Sequence, residues 1–111
     1  MSDCLFCKII KGEIPSNKVY EDDVCLAIRD INPQAPTHVL VMPKEHVISL
    51  AEAGDAGMLG NLLLACKQVA QGENLANGYR VVTNIGSDGC QSVGHLHIHV
   101  LGGEKLSETL G

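Results

Sequence analysis

Residues His95-Leu96-His97-Ile98-His99-Val100-Leu101 alternate polar and apolar without a break, the period of two that belongs to an extended strand. On such a strand His95, His97 and His99 share one face, while Leu96, Ile98 and Val100 share the other and call for a core behind them. Elsewhere the period changes. Leu5, Phe6, Ile9 and Ile10 recur at helical spacing within 4–11, and Gly12 follows as a stop, so the pattern predicts a short amphipathic helix. Met58, Leu59, Leu62, Leu63, Cys66, Val69 and Ala70 step by three and four, which predicts a main helix over 51–75 with Asp55 as its N-cap. Gly60 interrupts that helix at some cost and permits close packing. The run Leu62-Leu63-Leu64 covers more than one face, a surplus that suits either an ordinary buried helix or a subunit interface.

Four further strands follow from shorter patterns. Segments 18–21 and 24–29 flank Asp22-Asp23, an Asp-rich connection suited to a hairpin. The most apolar strand, 38–42, lies between the proline-rich loop 30–36 and Pro43. It begins with His38, placed to reach the face of another strand. Segment 79–84 is the fourth, and the Gly- and Ser-containing loop 85–94 leads from it into the histidines. Such a loop offers backbone N–H groups and a hydroxyl to an anion.

A single histidine on a strand face is usually just a satisfied polar group. Three in alternation are a different matter, because each needs hydrogen-bond partners and each packs less well than Val or Thr. Neighbours on one face stand roughly 6.5–7 Å apart, so they can jointly grip a metal or line up along a small anion, and the spacing does not choose between these.

Composition narrows the setting. The 111 residues are expected to form one domain, 1–111, at a size where oligomerisation adds useful burial. Apolar residues are 45% and aromatics only 3%, with no Trp, so Val, Leu, Ile and Ala must build the core. Thirteen acidic against eight basic side chains give a net charge of −5, which argues against a general nucleic-acid surface. No run approaches membrane-spanning length, and Met1-Ser2-Asp3-Cys4 has neither a basic head nor an apolar stretch. A cytoplasmic protein without membrane partners is expected. Five cysteines, one close pair among them, suit free thiols or a metal better than a disulfide framework.

Together these residues resemble the histidine triad superfamily, whose motif is matched by His95-Leu96-His97-Ile98-His99-Val100-Leu101-Gly102-Gly103. The similarity extends through 30–38, Gly78-Tyr79-Arg80, Gly86-Ser87-Asp88-Gly89 and Gln91-Ser92-Val93, and points to the Hint branch of purine nucleoside phosphoramidases. The resemblance implies an α+β fold: a five-stranded antiparallel sheet with one short N-terminal and one long helix, in a homodimer joined through the long helix and the strand near 79–84. It implies a purine nucleotide substrate, with His97 as the nucleophile that becomes nucleotidylated, and His99 and His38 as flanking groups handling charge and protons. Ser92 and Asn84 match phosphate-side or leaving-group contacts, Ser92 as a catalytic donor, and Val93 falls among the nucleotide-binding residues. Asp30 matches the carboxylate that holds the ribose, and Phe6, Ile9 and Ile31 match the apolar slot for the base.

An unprotonated imidazole is a competent nucleophile at neutral pH, and a carbonyl accepting from its other nitrogen fixes the tautomer. In triad proteins that open with Cys-x-x-Cys, zinc is held by the two thiols, a His closing a Pro-x-x-His stretch and the first His of the triad. The matching residues are Cys4, Cys7, His46 and His95. Two thiolates and two imidazoles form a closed structural zinc set. With His95 so employed, the phosphoryl chemistry is expected to need no metal.

Cys90, Gly94 and a tail without aromatic residues depart from close relatives and bear on leaving-group preference, while Cys25 and Cys66 read as core. Rival readings are a dinucleoside polyphosphate hydrolase, a nucleotide-binding interaction protein with vestigial catalysis, and a metal-binding sensor.

Overall fold

The computed structural model describes residues 3–110; Met1 and Ser2, part of the opening read above, and Gly111 lie outside them. Helix α1 is Leu5–Ile10, followed by strands β1 Lys18–Glu21, β2 Cys25–Arg29 and β3 Thr37–Pro43. Helix α2, Ala56–Gly72, then precedes β4 Arg80–Val82 and β5 Ile98–Gly102. The strands form one antiparallel sheet in the order β1-β2-β3-β5-β4. This is the expected α+β architecture.

Alternation decides what each face carries. From β2 and β3, Cys25, Ala27, Val39 and Val41 point to α2, where they meet Met58, Leu62, Ala65, Cys66, Val69 and Ala70. Leu96, Ile98 and Val100 join the same core. The alternate residues Leu26, Ile28, Leu40 and Met42 pack under Phe6 and Ile9 of α1. Since α1 covers only the β2–β3 half of that face, the β5–β4 half is left to the histidines.

Local chemistry sets the ends of the helices. Cys4 caps α1 by accepting the Cys7 N–H, and Gly12 leaves it at φ 80°. Asp55 caps α2, its carboxylate accepting the Met58 N–H. The main helix is therefore shorter than 51–75. Residues ahead of Asp55 belong to a turn in which Ser49 accepts from the backbone of Glu52 and Ala51. At the other end Asn74, at φ 60°, turns the chain out while the Leu75 N–H returns to the Ala70 carbonyl.

Three further expectations are corrected. Leu63, assigned to the buried stripe, is 58% exposed and Leu64 is 65% exposed, because the sheet reaches only the arc that includes Leu62 and Cys66. The histidine strand joins the ladder only at Ile98, since β3 and β4 supply no pairing partners beyond Val41 and Val82. Before that point Leu96 instead donates its N–H to the Val47 carbonyl at 2.7 Å. Segment 79–84 likewise pairs only over Arg80–Val82. Among the described residues no helix is long and apolar enough to cross a membrane.

Candidate functional site

The histidines fall into two groups on either side of His97. His95 is fully buried and donates Nε2–H to the Pro43 carbonyl at 2.8 Å; a carbonyl can only accept, so Nδ1 carries the lone pair. That nitrogen lies 3.4 Å from Cys4 Sγ and 3.6 Å from Cys7 Sγ, and His46 Nδ1 lies 3.3 Å from Cys7 Sγ. The ligating atoms of all four residues sit within 4.8 Å of one another. A tetrahedron with Zn–S of about 2.3 Å and Zn–N of about 2.0–2.1 Å has S···N edges of about 3.6 Å, so the donor set fits a structural zinc. Burial and the neighbouring Cys4 push the Cys7 thiol up, so ligation there has to displace a proton. Zinc held this way would be fully coordinated and would act as a cross-link between α1, the 46–48 segment and the triad.

His97 is turned the opposite way. Its Nδ1–H donates to the His95 carbonyl at 2.7 Å, leaving the lone pair on Nε2. Phe6 of α1 packs edge-to-face against both rings, with centroids 5.9 Å from His95 and 5.0 Å from His97. The helix fixed at the metal set thus also braces the second histidine. Thr83 Oγ1 donates to the His97 carbonyl at 2.8 Å, a contact that sequence patterning gave no means of finding.

His38 and His99 are diagonal neighbours across the β3–β5 pairing, where His38 faces Leu101 and Leu40 faces His99. Their facing nitrogens, His38 Nε2 and His99 Nδ1, are 2.9 Å apart. The Gln34 N–H donates to His38 Nδ1 at 3.0 Å, so in the neutral ring Nε2 bears the proton and donates to His99. It follows that His99 presents Nε2–H outward. Asp30 Oδ2 lies 3.4 Å from His38 Nε2. Asp30, His38 and His99 are also close enough to be considered a metal set, but the Gln34 amide withholds from His38 Nε2 the lone pair that a metal requires. Burial lowers both rings below the usual imidazole range, His99 to about 4 with help from His97 and His38, against an opposing pull from Asp30.

Among the other expected site residues, Phe6 and Ile9 lie inside the closed α1 cluster, whereas Ile31 is 91% exposed. Val93 packs at the margin of that cluster. Asn84 donates to the Gly89 carbonyl at 2.7 Å and so ties down loop 85–94. At Gly89 a Cβ would sit 2.4 Å from the Ile85 carbonyl oxygen, so only glycine fits. A cavity of about 470 Å³ opens beside His99, lined by His38, Asn84, Gln34, Arg80 and the tail around Lys105, within the usual size of ligand sites. Sequence reading did not foresee the tail as its wall.

The HIT domain model matches residues 11–106. An uncharacterized HIT-like protein of Synechococcus elongatus is 53% identical over 107 residues, covering 95% of this chain and 94% of its own length. A 14 kDa zinc-binding protein of Zea mays is 54% identical over 110 residues, covering 96% and 86%. The solved structure of a HIT family hydrolase from Clostridium thermocellum superposes with a TM-score of 0.96 at 44% identity, covering 99% of this chain and 98% of that one. With the family model spanning most of its length and the paired histidine groups in place, the chain belongs to the HIT domain family.

Proposed function

We propose that this protein is a nucleotidyl hydrolase that cleaves the P–N bond of purine nucleoside 5′-phosphoramidates through a nucleotidyl-His97 intermediate. The observation that carries this reading is the His97 tautomer: with Nδ1–H committed to the His95 carbonyl, Nε2 is a free nucleophile. His97 Nε2 attacks phosphorus, the P–N bond breaks, and the amine departs with one added proton. Water then cleaves the P–Nε2 bond to give the nucleoside monophosphate and restore the imidazole.

His99, its ring centroid 5.2 Å from that of His97, is the proton donor in this scheme. It is neutral in the free protein at pH 7, since its pKa lies at about 4; a bound phosphoryl anion raises it, the His38 Nε2–H turns from His99 to Asp30 Oδ2, 3.4 Å away, and Nδ1 takes up a proton as the outward Nε2–H is handed to the amine. Asp30 receives the ribose hydroxyls, the base covers the exposed Ile31 beside the Phe6–Ile9 cluster, and Ser92, Val93 and Asn84 border the phosphate. The cavity beyond His99 receives the leaving group. Zinc on Cys4, Cys7, His46 and His95 braces the site from behind, in keeping with the zinc-binding relative.

Exposed Leu63, Leu64 and Val81, together with the open edge of β4, support a homodimer through α2 and β4. The test is mass spectrometry of wild type and His97→Ala, mixed with adenosine 5′-phosphoramidate and quenched within seconds. A nucleotidyl adduct at His97, absent in the variant, is expected. Nucleotide binding without adduct or turnover would leave a binding module, and turnover only on a dinucleoside polyphosphate would replace the substrate class.

A further inference from the structure

Gln91 stands one residue before Ser92, yet its side-chain amide is spent on backbone groups. Nε2 donates to the Ile48 carbonyl at 2.6 Å and to the Val93 carbonyl at 2.9 Å, while Oε1 accepts the Gly86 N–H at 3.0 Å. Its own N–H returns to the Gly86 carbonyl at 3.0 Å. Both amide hydrogens are thereby used, and none is left for a phosphate oxygen. One side chain therefore joins both ends of loop 86–93 and fastens them to a third segment.

That third segment is the one bearing a zinc ligand. Ile48 lies two residues beyond His46, and between them the Val47 carbonyl accepts the Leu96 N–H. The chain from His46 to Ile48 thus runs beside 91–96 with two ties, one next to His95 and one at Gln91. The His46 and His95 rings pack edge-to-face with centroids 5.0 Å apart. A metal that fixes His46 and His95 also fixes the carbonyl to which Gln91 is anchored.

We propose that Gln91 is a positioning residue that transmits the order of the zinc-ligand segment to the phosphate-side loop, holding Ser92 and the loop amides in place without touching substrate. This rests on the zinc and phosphoryl-transfer reading above. When zinc leaves, the Ile48 carbonyl moves with His46 and the loop loses its outer anchor. A role confined to stability would lower the melting temperature and leave the loop insensitive to metal.

The test is hydrogen exchange with mass spectrometry on the full chain, zinc-loaded and zinc-stripped, in wild type, Gln91→Leu and Gln91→Glu. Metal content is measured on every sample. Zinc-loaded Gln91→Leu is expected to keep its metal and exchange roughly tenfold or more faster across 85–94, three hydrogen bonds having been lost. Gln91→Glu keeps only the bond from Gly86 and should fall between. Stripping zinc should speed the same segment in wild type and add little in Gln91→Leu. In parallel, kcat per active site, counted from the adduct burst, should fall with KM little changed. A zinc-loaded Gln91→Leu that exchanges and turns over like wild type overturns the tie, and so does a zinc response equal in both proteins. A chain that takes up no zinc overturns the zinc reading instead, and metal analysis separates the two failures.

Discussion

The Nδ1–H of His97 donates at 2.7 Å to the backbone carbonyl of His95, whose ring is turned to the thiols of Cys4 and Cys7. One residue thus serves the metal set with its side chain and sets the tautomer of its neighbour with its backbone. The ordering of His97 therefore depends on the same short stretch that closes the zinc set.

Metal removal should consequently cost stability. Free zinc at a hundredfold excess over its dissociation constant stabilises the folded chain by about 2.7 kcal/mol, a shift of roughly 10 °C or more for a domain of this size. Calorimetry of loaded and stripped protein measures it. Cys7→Ser should melt like the stripped protein, and equal melting temperatures for loaded and stripped wild type would remove the structural metal from the picture.

His38→Ala removes the donor that holds His99 Nδ1. Turnover should fall by about 10²–10⁴-fold, the usual range for losing acid–base assistance, while any adduct still maps to His97. Rapid-quench kinetics separates the two effects. Wild-type kcat in His38→Ala would show that the 2.9 Å contact between His38 and His99 has no part in proton handling.

The two sides of α2 should respond in opposite ways. Leu62 is fully buried, so Leu62→Ala should cost about 2–5 kcal/mol in urea unfolding. Replacing exposed Leu63 and Leu64 together by Asp should leave subunit folding intact and shift sedimentation from dimer to monomer. Unchanged sedimentation of a dimeric wild type would move the interface off this helix.

Acid should destabilise the protein before its carboxylates titrate. His99 titrates at about 4 when folded and near its ordinary 6.5 when unfolded, so between those values the unfolded chain binds more protons. The stability it contributes is complete above pH 6.5 and disappears as pH falls towards 4, by up to about 3 kcal/mol. Urea titrations across pH 4–7 should show this slope, and His99→Asn should flatten it. A slope identical in the variant would assign the acid sensitivity elsewhere.

Much of this architecture was legible along the chain. The alternation at 95–101 placed Leu96, Ile98 and Val100 in the core, Asp55 and Gly12 marked helix ends, and the two cysteines with His46 and His95 were grouped through the family resemblance. These features depend on local backbone geometry, on capping or on a motif. Patterning went wrong where the outcome depends on what lies opposite. Residues 51–54 lie where the helix was expected to begin but are bent by the Ser49 turn, and Leu63 has the right residue type on a side that the sheet does not reach.

Which nitrogen of each ring is free could not be read from the sequence. It was decided by the carbonyls of Pro43 and His95 and the amide of Gln34, the first of them 52 residues from the ring it binds. Periodicity is written in successive covalent bonds, so residue order determines which faces the histidines occupy. A proton's position on an imidazole is set by whichever donor or acceptor the folded chain places beside it, and only tertiary packing brings those groups together.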